Sequence, residues 1–412
     1  MMSIDTQAQQ PILLPQSLLQ SPEPIQALLD TASLYLHIPF CHTRCYYCDF
    51  NTFAGMLPLR EPYVKALLTE IGLAAQMAQH EDGSKRRSRT IFLGGGTPSL
   101  LQVEQIKRII NACFESFAID TDAEITMEAN PGTLDQEQLI GVRKTGINRL
   151  SMGAQSFDTQ LLKTLGRIHT PEEIVQAFQS ARRAGFSSIN LDFMFGLPGQ
   201  TMQHWQETLK RALELRPEHL SLYSLIVEEG TPFKEWVDTG RLTPGDEDLC
   251  ADMYEYADDL LSRAGYINYE ISNWSLPDHH SRHNLTYWQN LPYIGMGTGA
   301  ASSFADRRFS NEREPATYIK TLKMKKRPEV ESELVEAEQA MSETAFLGLR
   351  TAMGIHLATF ETRFGQSFAQ FAGDRLDRVD KAGLLEHKDG WLRLSKRGRL
   401  LGNEVFMQLL PD

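Results

Sequence analysis

The stretch "HIPFCHTRCYYCDFNT", residues 37–52, sets Cys41, Cys45 and Cys48 within eight residues, in a chain of 412 residues that has only five cysteines. The other two, Cys113 and Cys250, stand alone and read as inert thiols that pack as small hydrophobes. Three chemistries suit the clustered thiols. Zinc takes four closed ligands, usually as separated pairs, and would need His42 or Asp49 as the fourth. A redox dithiol over Cys45-x-x-Cys48 leaves Cys41 without a role. An iron–sulfur cluster suits soft thiolates, and three ligands on a four-iron cube leave one iron open to a substrate.

The sequence around the loop supplies a scaffold for such a site. Strand-like runs recur at Ser33–Phe40, Thr90–Leu93, Ala123–Ala129, Asn148–Ala154, Ser188–Phe195 and Glu218–Val227. Between them, segments 63–80, 102–117, 135–145, 171–185, 202–215 and 247–264 carry apolar residues at helical spacing, so the pattern is βα repeated six times. That alternation implies a parallel sheet, open or curled. The three cysteines follow the first strand, and "GGGTP", Gly94 to Pro98, follows the second. Glu128 and Asn130 end the third strand, Gln155 the fourth, and Asp192 lies late in the fifth. In barrels of parallel strands the C-terminal rim carries the chemistry. Glycines after a strand allow positive φ and close backbone approach to a ligand. Glu128, Gln155, Arg167 and Asp192 supply two carboxylates, an amide and a guanidinium, a set able to hold an amino acid and a ribose.

Composition limits the alternatives. With 42% hydrophobic and 23% charged residues the chain reads as a soluble globular protein. No apolar run reaches the roughly 18 residues of a membrane span, so no integral membrane segment is expected. The first twenty residues lack the basic and apolar regions of a secretory signal, so the expected location is cytoplasmic. A formal net charge of -12 argues against a nucleic-acid partner.

These residues carry a family resemblance. "CHTRCYYC" matches the Cys-x-x-x-Cys-x-x-Cys signature of radical S-adenosylmethionine (SAM) proteins, and "GGGTPSL" resembles the loop that in this superfamily holds the methionine amino group. "LYLHIPFC", "EITMEANPGTL", "INRLSMGAQSF", "LGRIHT" and "NLDFMFGLPGQT" resemble the branch that contains oxygen-independent coproporphyrinogen III oxidase and the HemW heme chaperones. The resemblance runs from about Leu34 to the end. It implies that Cys41, Cys45 and Cys48 hold a [4Fe-4S] cluster whose open iron chelates SAM. It also implies that Tyr35, Tyr47, Gly95, Gly96, Thr97, Glu128, Gln155, Arg167 and Asp192 surround that cofactor, with Ile226 and Ala301 as two further contacts. An external electron donor such as flavodoxin or ferredoxin is implied with them.

Within the branch, two features separate this chain from the oxidases. Their pattern places a fourth cysteine two residues after the third, where this chain has Phe50. The segment before Tyr35 is also short beside theirs. "HNLTYW", His283 to Trp288, matches the element that resembles the chaperones' proposed heme-binding motif. A neutral imidazole is a usual axial ligand of heme iron, and Tyr287 and Trp288 offer flat faces to a porphyrin. His283 is therefore the expected heme ligand, with His279 or His280 as candidates for a second. The resemblance points to heme and an acceptor hemoprotein as partners. The alternatives are decarboxylation of coproporphyrinogen III and, more remotely, radical tRNA modification.

The expected fold class is α/β: a partial (β/α)6 TIM-like radical-SAM barrel followed by a small winged-helix-like α+β domain. Residues 1–31 are expected to be a flexible extension, 32–305 the barrel with its C-terminal extension, 306–340 a linker and 341–412 the last domain. In that domain "GLLEHKDGWLRLSKRGR" reads as two strands joined at Lys388-Asp389-Gly390. From residue 340 onward ten Lys/Arg face nine Asp/Glu, which gives no basic face.

Overall fold

A computed structural model describes residues 23–410. The first 22 residues of the expected extension lie outside the described residues. The remainder of it forms the helix Ile25–Leu29, tied down by Glu23, which accepts from Arg87 at 2.8 Å.

All six expected strands are present. They are β1 (Ser33–Ile38), then, beyond the short pair β2 (Phe40–Cys41) and β3 (Phe53–Ala54), β4 (Arg87–Gly95), β5 (Ala118–Ala129), β6 (Arg149–Gln155), β7 (Ser188–Phe195) and β8 (His219–Ser224). Each pairs in parallel with the next, in the order β1-β4-β5-β6-β7-β8. The helices between them begin where the sequence supplies caps. Asp135, Thr170 and Thr201 each accept from the third backbone N–H of their helix, while Gln138, Glu173 and His204 reach back. Their apolar faces close over the sheet around Leu34, Leu36, Ile91, Leu93, Leu150, Ile189 and Leu191, all fully buried. The side of the sheet enclosed by the curl is unusually polar. Asn190 donates to Ser151 Oγ (2.7 Å) and Ser221 Oγ (2.9 Å), and its Oδ1 accepts from His219 Nδ1 (2.6 Å), all buried.

Both edges are extended. On the far side of β8 lie β9 (Ile267–Glu270) and β10 (Asn273–Ser275), with β10 antiparallel to β8. On the other edge β11 (Tyr293–Met296) joins β1 in parallel, followed by antiparallel β12 (Ala301–Phe304), β13 (Arg307–Asn311) and β14 (Glu329–Leu334), giving a twelve-stranded sheet.

That edge corrects one expectation. Residues 306–340 are not a linker, because β13 and β14 continue the main sheet. Their acidic, unpatterned sequence hides this because β14 is an outer strand with an almost fully exposed set of side chains. It is held by the backbone ladder and by Arg307–Glu329 (2.6 Å) and Arg308–Glu333 (3.4 Å) pairs rather than by apolar alternation.

The last domain has its own core, which includes Leu349, Phe360, Phe371, Leu392 and Phe406. Its three-stranded sheet, in the order β15 (Ile355–His356), β17 (Trp391–Leu394), β16 (Leu385–Lys388), forms the expected wing. Asp389 and Gly390 turn it with φ of 53° and 80°. The domain docks on the barrel. Ala352 N–H donates to Tyr269 O (2.9 Å), and Arg363 donates to Asn290 O (2.8 Å).

Candidate functional site: a three-thiol loop on the rim of the barrel

The cysteine loop leaves β1 and is closed at its base by the parallel pairing of Phe40 with Phe53 and Cys41 with Ala54. It is anchored to the glycine loop by Gly96 N–H to Ile38 O (2.9 Å) and Thr97 N–H to Phe40 O (2.8 Å). This approach is why glycine stands at 96: a Cβ there would sit 2.8 Å from the carbonyl oxygens of Ile38 and Phe40. Gly95 has φ +107°, and a Cβ on it would overlap the His37 ring.

Each thiol has a hydrogen-bond partner of its own. Thr97 Oγ1 donates to Cys41 Sγ (3.6 Å), Arg167 Nη1 donates to Cys45 Sγ (3.5 Å), and Thr52 Oγ1 lies 3.8 Å from Cys48 Sγ. Asn130 links the first two donors, giving its amide to Thr97 Oγ1 (3.1 Å) and accepting from Arg167 Nη2 (2.7 Å). Arg167 also donates to Gly153 O (2.7 Å). Burial raises the Cys41 and Cys48 thiols above their ordinary pKa, so a metal must displace their protons. Among the described residues no three His, Cys, Asp or Glu side chains are placed to hold a single metal ion. A zinc site draws its ligands to one point, whereas a cluster offers separate irons to separate thiolates, and the individually supported thiols fit the latter.

Beside the loop lies a cavity of about 440 Å³, lined by Tyr35, Gly95, Glu128 and Ala301 together with His37 and Phe50. Glu128 accepts from Gly95 N–H (2.9 Å). Desolvation first, and the neighbouring Asp192 carboxylate second, push its pKa up to about 7. Asp192 is fixed by Asn190 Nδ2 (2.6 Å) and by Ser151 Oγ (3.3 Å). Gln155 ends β6 at φ +67°, where the register with β7 shifts. Tyr47 packs on Phe233 with ring centroids 6.4 Å apart, and burial raises its hydroxyl pKa. Ile226 follows β8, is 68% exposed and is not among the residues lining the cavity. Asn130, Thr52 and Asn190 are the residues that the sequence reading did not assign to the site. Of these, Asn130 was visible as a polar end of the third strand.

The helix Arg282–Trp288 carries the HNLTYW element. His283 is buried, and both its ring nitrogens are engaged. Nδ1 pairs with Thr90 Oγ1 (2.7 Å) and Nε2 with Tyr287 OH (2.8 Å). Burial lowers its pKa to about 3, so the ring is neutral. Its ring stacks on Phe92 (5.1 Å), which adjoins Tyr35 (6.2 Å), so an aromatic column joins the motif helix to the rim cavity. His279 and His280 are half-buried in the preceding turn.

Among the described residues no helix is long and apolar enough to cross a membrane. Comparison with known proteins places the geometry in a family. The radical SAM superfamily profile matches residues 35–212, and the HemN C-terminal domain matches residues 335–401. The heme chaperone HemW of Lactococcus lactis is 37% identical over 383 residues, covering 92% of this chain and 97% of that protein. HemW of Bacillus subtilis is 38% identical, covering 92% and 99%. Among solved structures, the radical SAM enzyme coproporphyrinogen III oxidase (HemN) from Escherichia coli superposes with a TM-score of 0.80 at 25% identity, over 93% of this chain and 92% of that one. Radical SAM membership implies a [4Fe-4S] cluster and SAM, and the three supported thiols and the rim cavity fit them. The chain belongs to the radical SAM superfamily and, within it, to the HemW family.

Proposed function

We propose that this protein is a heme chaperone, which binds heme and passes it to an acceptor hemoprotein in the cytoplasm. The observation that carries this reading is the 37–38% identity to proteins named as HemW across 92% of the chain. Phe50 supports it. It stands where the oxidase pattern has a cysteine, and it is 62% exposed on the cavity rim.

In this reading Cys41, Cys45 and Cys48 hold the cluster, with Thr97, Arg167 and Thr52 stabilising the thiolates through their hydrogen bonds. Tyr35, Gly95, Gly96, Glu128, Gln155 and Asp192 orient SAM on the rim, and Ala301 closes the far wall. When bound, the cluster supplies one-electron chemistry, for which an external donor is the source. The chain's own residues bind, orient and exclude water. The element His283–Trp288 contacts heme. His283 becomes an iron ligand only when Tyr287 gives up its Nε2, with Thr90 still holding Nδ1, so ligation requires this part of the barrel to open.

The test is an anaerobic hemin titration of cluster-reconstituted protein, followed by transfer to an apo-hemoprotein. Saturation near one heme per chain, weakened in His283→Ala, is the expected result; absence of specific binding overturns the reading. The oxidase reading keeps one observation, the shared fold with HemN. It predicts anaerobic formation of protoporphyrinogen IX from coproporphyrinogen III with SAM and a reductant.

A further inference from the structure

The motif helix has a second face. While His283 and Tyr287 point into the barrel, Leu285 and Trp288 line a separate cavity of about 350 Å³ between the barrel, the helix Ile25–Leu29 and the last domain. Its size lies at the lower end of small-molecule sites, roughly 300–1,000 Å³. A flat macrocycle entering edge-on fits such a slot with part of its ring outside.

The walls are mostly apolar, with Trp288 on one side and Phe360 and Trp391 of the last domain on the other. Polar side chains interrupt this lining; among them the Glu23 carboxylate is already paired with Arg87 (2.8 Å), and His356 and Arg363 are the two that bear on a ligand. His356 donates to or accepts from Thr359 Oγ1 through Nδ1 (2.8 Å), and its ring lies 4.8 Å from that of Trp391. No hydrogen bond occupies its Nε2 among the described residues. One nitrogen held by a hydroxyl and the other free is the arrangement of a metal-ligating imidazole. Arg363 gives two of its five N–H donors to backbone carbonyls, Gln289 O (3.2 Å) and Asn290 O (2.8 Å), and among the described residues it forms no ion pair. Burial lowers its pKa to about 10, a cost that an anion in the cavity would relieve. Trp288 Nε1, on the same wall, is buried without a hydrogen-bond partner among the described residues.

We infer that this interdomain cavity is a heme-docking site in which His356 Nε2 takes the iron, Trp288 and Trp391 flank the macrocycle, and Arg363 receives a propionate. The assignment rests on the chaperone reading and adds to it a ligand nitrogen that carries no hydrogen bond among the described residues, whereas both ring nitrogens of His283 are engaged.

The experiment is an absorbance titration of hemin into the full-length, cluster-reconstituted protein, comparing the parent with His356→Ala, His356→Met and Arg363→Gln, each checked for folding by circular dichroism. We expect His356→Ala to weaken binding about tenfold or more. His356→Met should retain binding with a shifted Soret band, because a thioether replaces the imidazole on iron, and Arg363→Gln should weaken binding less. A parent that binds hemin while His356→Ala binds it equally well, with an unchanged spectrum, overturns the assignment whatever the His283 variant does. A parent that binds no hemin overturns the chaperone reading itself. Should His356→Ala fail to fold, an unshifted spectrum in His356→Met decides against the assignment.

Discussion

His283 and Trp288 share one seven-residue helix yet face different compartments. The imidazole is locked inside the barrel by Thr90 and Tyr287, whereas the indole lines the interdomain cavity. Five residues of helix turn through about 140° beyond a full circle, which makes this division a direct result of helix geometry. Part of the motif is therefore presented and part is held in reserve.

The reserve can be released. Tyr287→Phe removes the hydroxyl paired with His283 Nε2 and leaves the ring stacked on Phe92. If His283 ligates iron, hemin binding in this variant should tighten by roughly two- to tenfold, the equivalent of one net hydrogen bond. An absorbance titration measures it, and unchanged affinity removes His283 from the ligand set.

Arg167 supports both the loop and its own neighbours. Arg167→Ala strips Cys45 of its charged donor and leaves Asn130 Oδ1 and Gly153 O without that partner, at a cost of about 1–3 kcal/mol. Iron and sulfide per chain after anaerobic reconstitution should fall, and the melting temperature should drop with them. A variant with full cluster content shows that the hydrogen bond is dispensable.

Glu128 should make SAM binding pH-dependent. Its carboxyl, raised to about 7 chiefly by desolvation, must ionise to hold an ammonium group. Affinity measured calorimetrically on the reconstituted protein should therefore rise between pH 6 and 8 and become flat in Glu128→Gln. A parent profile without slope argues that Glu128 does not meet the charged end of the cofactor.

A second buried carboxylate acts on stability. Glu70 accepts from Gly297 N–H (2.7 Å), Asn311 Nδ2 (2.6 Å) and Tyr318 OH (2.5 Å), and burial raises its pKa to about 7 from an ordinary 4.5. Between those values the native state holds a proton that the unfolded chain has lost. Its contribution is complete below pH 4.5 and lost as pH rises to 7, on the order of 3 kcal/mol. Denaturant midpoints from pH 5 to 8 should fall with pH in the parent and less steeply in Glu70→Gln. Equal slopes would sink the assignment.

The six βα units, the thiol loop and the rim on which Glu128, Gln155 and Asp192 stand are legible in the order of the residues alone. Strand and helix periods, capping residues and the position of a residue at a strand's end are local properties that the chain carries in its own order. The wing was legible for the same reason, since Asp389-Gly390 is a two-residue turn signal. The rest follows from packing between distant parts of the chain. Asn130 joins the donors of Cys41 and Cys45, two thiols on one loop, through residues 33 and 37 positions away. Burial, which sets the carboxyl of Glu128 and the neutrality of His283, is a property of the surroundings and not of the residue. The acidic segment around β14 became a sheet edge because Arg307 and Arg308 and a backbone ladder meet it there, and a ladder leaves no mark on side-chain pattern. His356 and Arg363 come to the motif helix from a separate domain, a meeting fixed by docking contacts far apart in sequence.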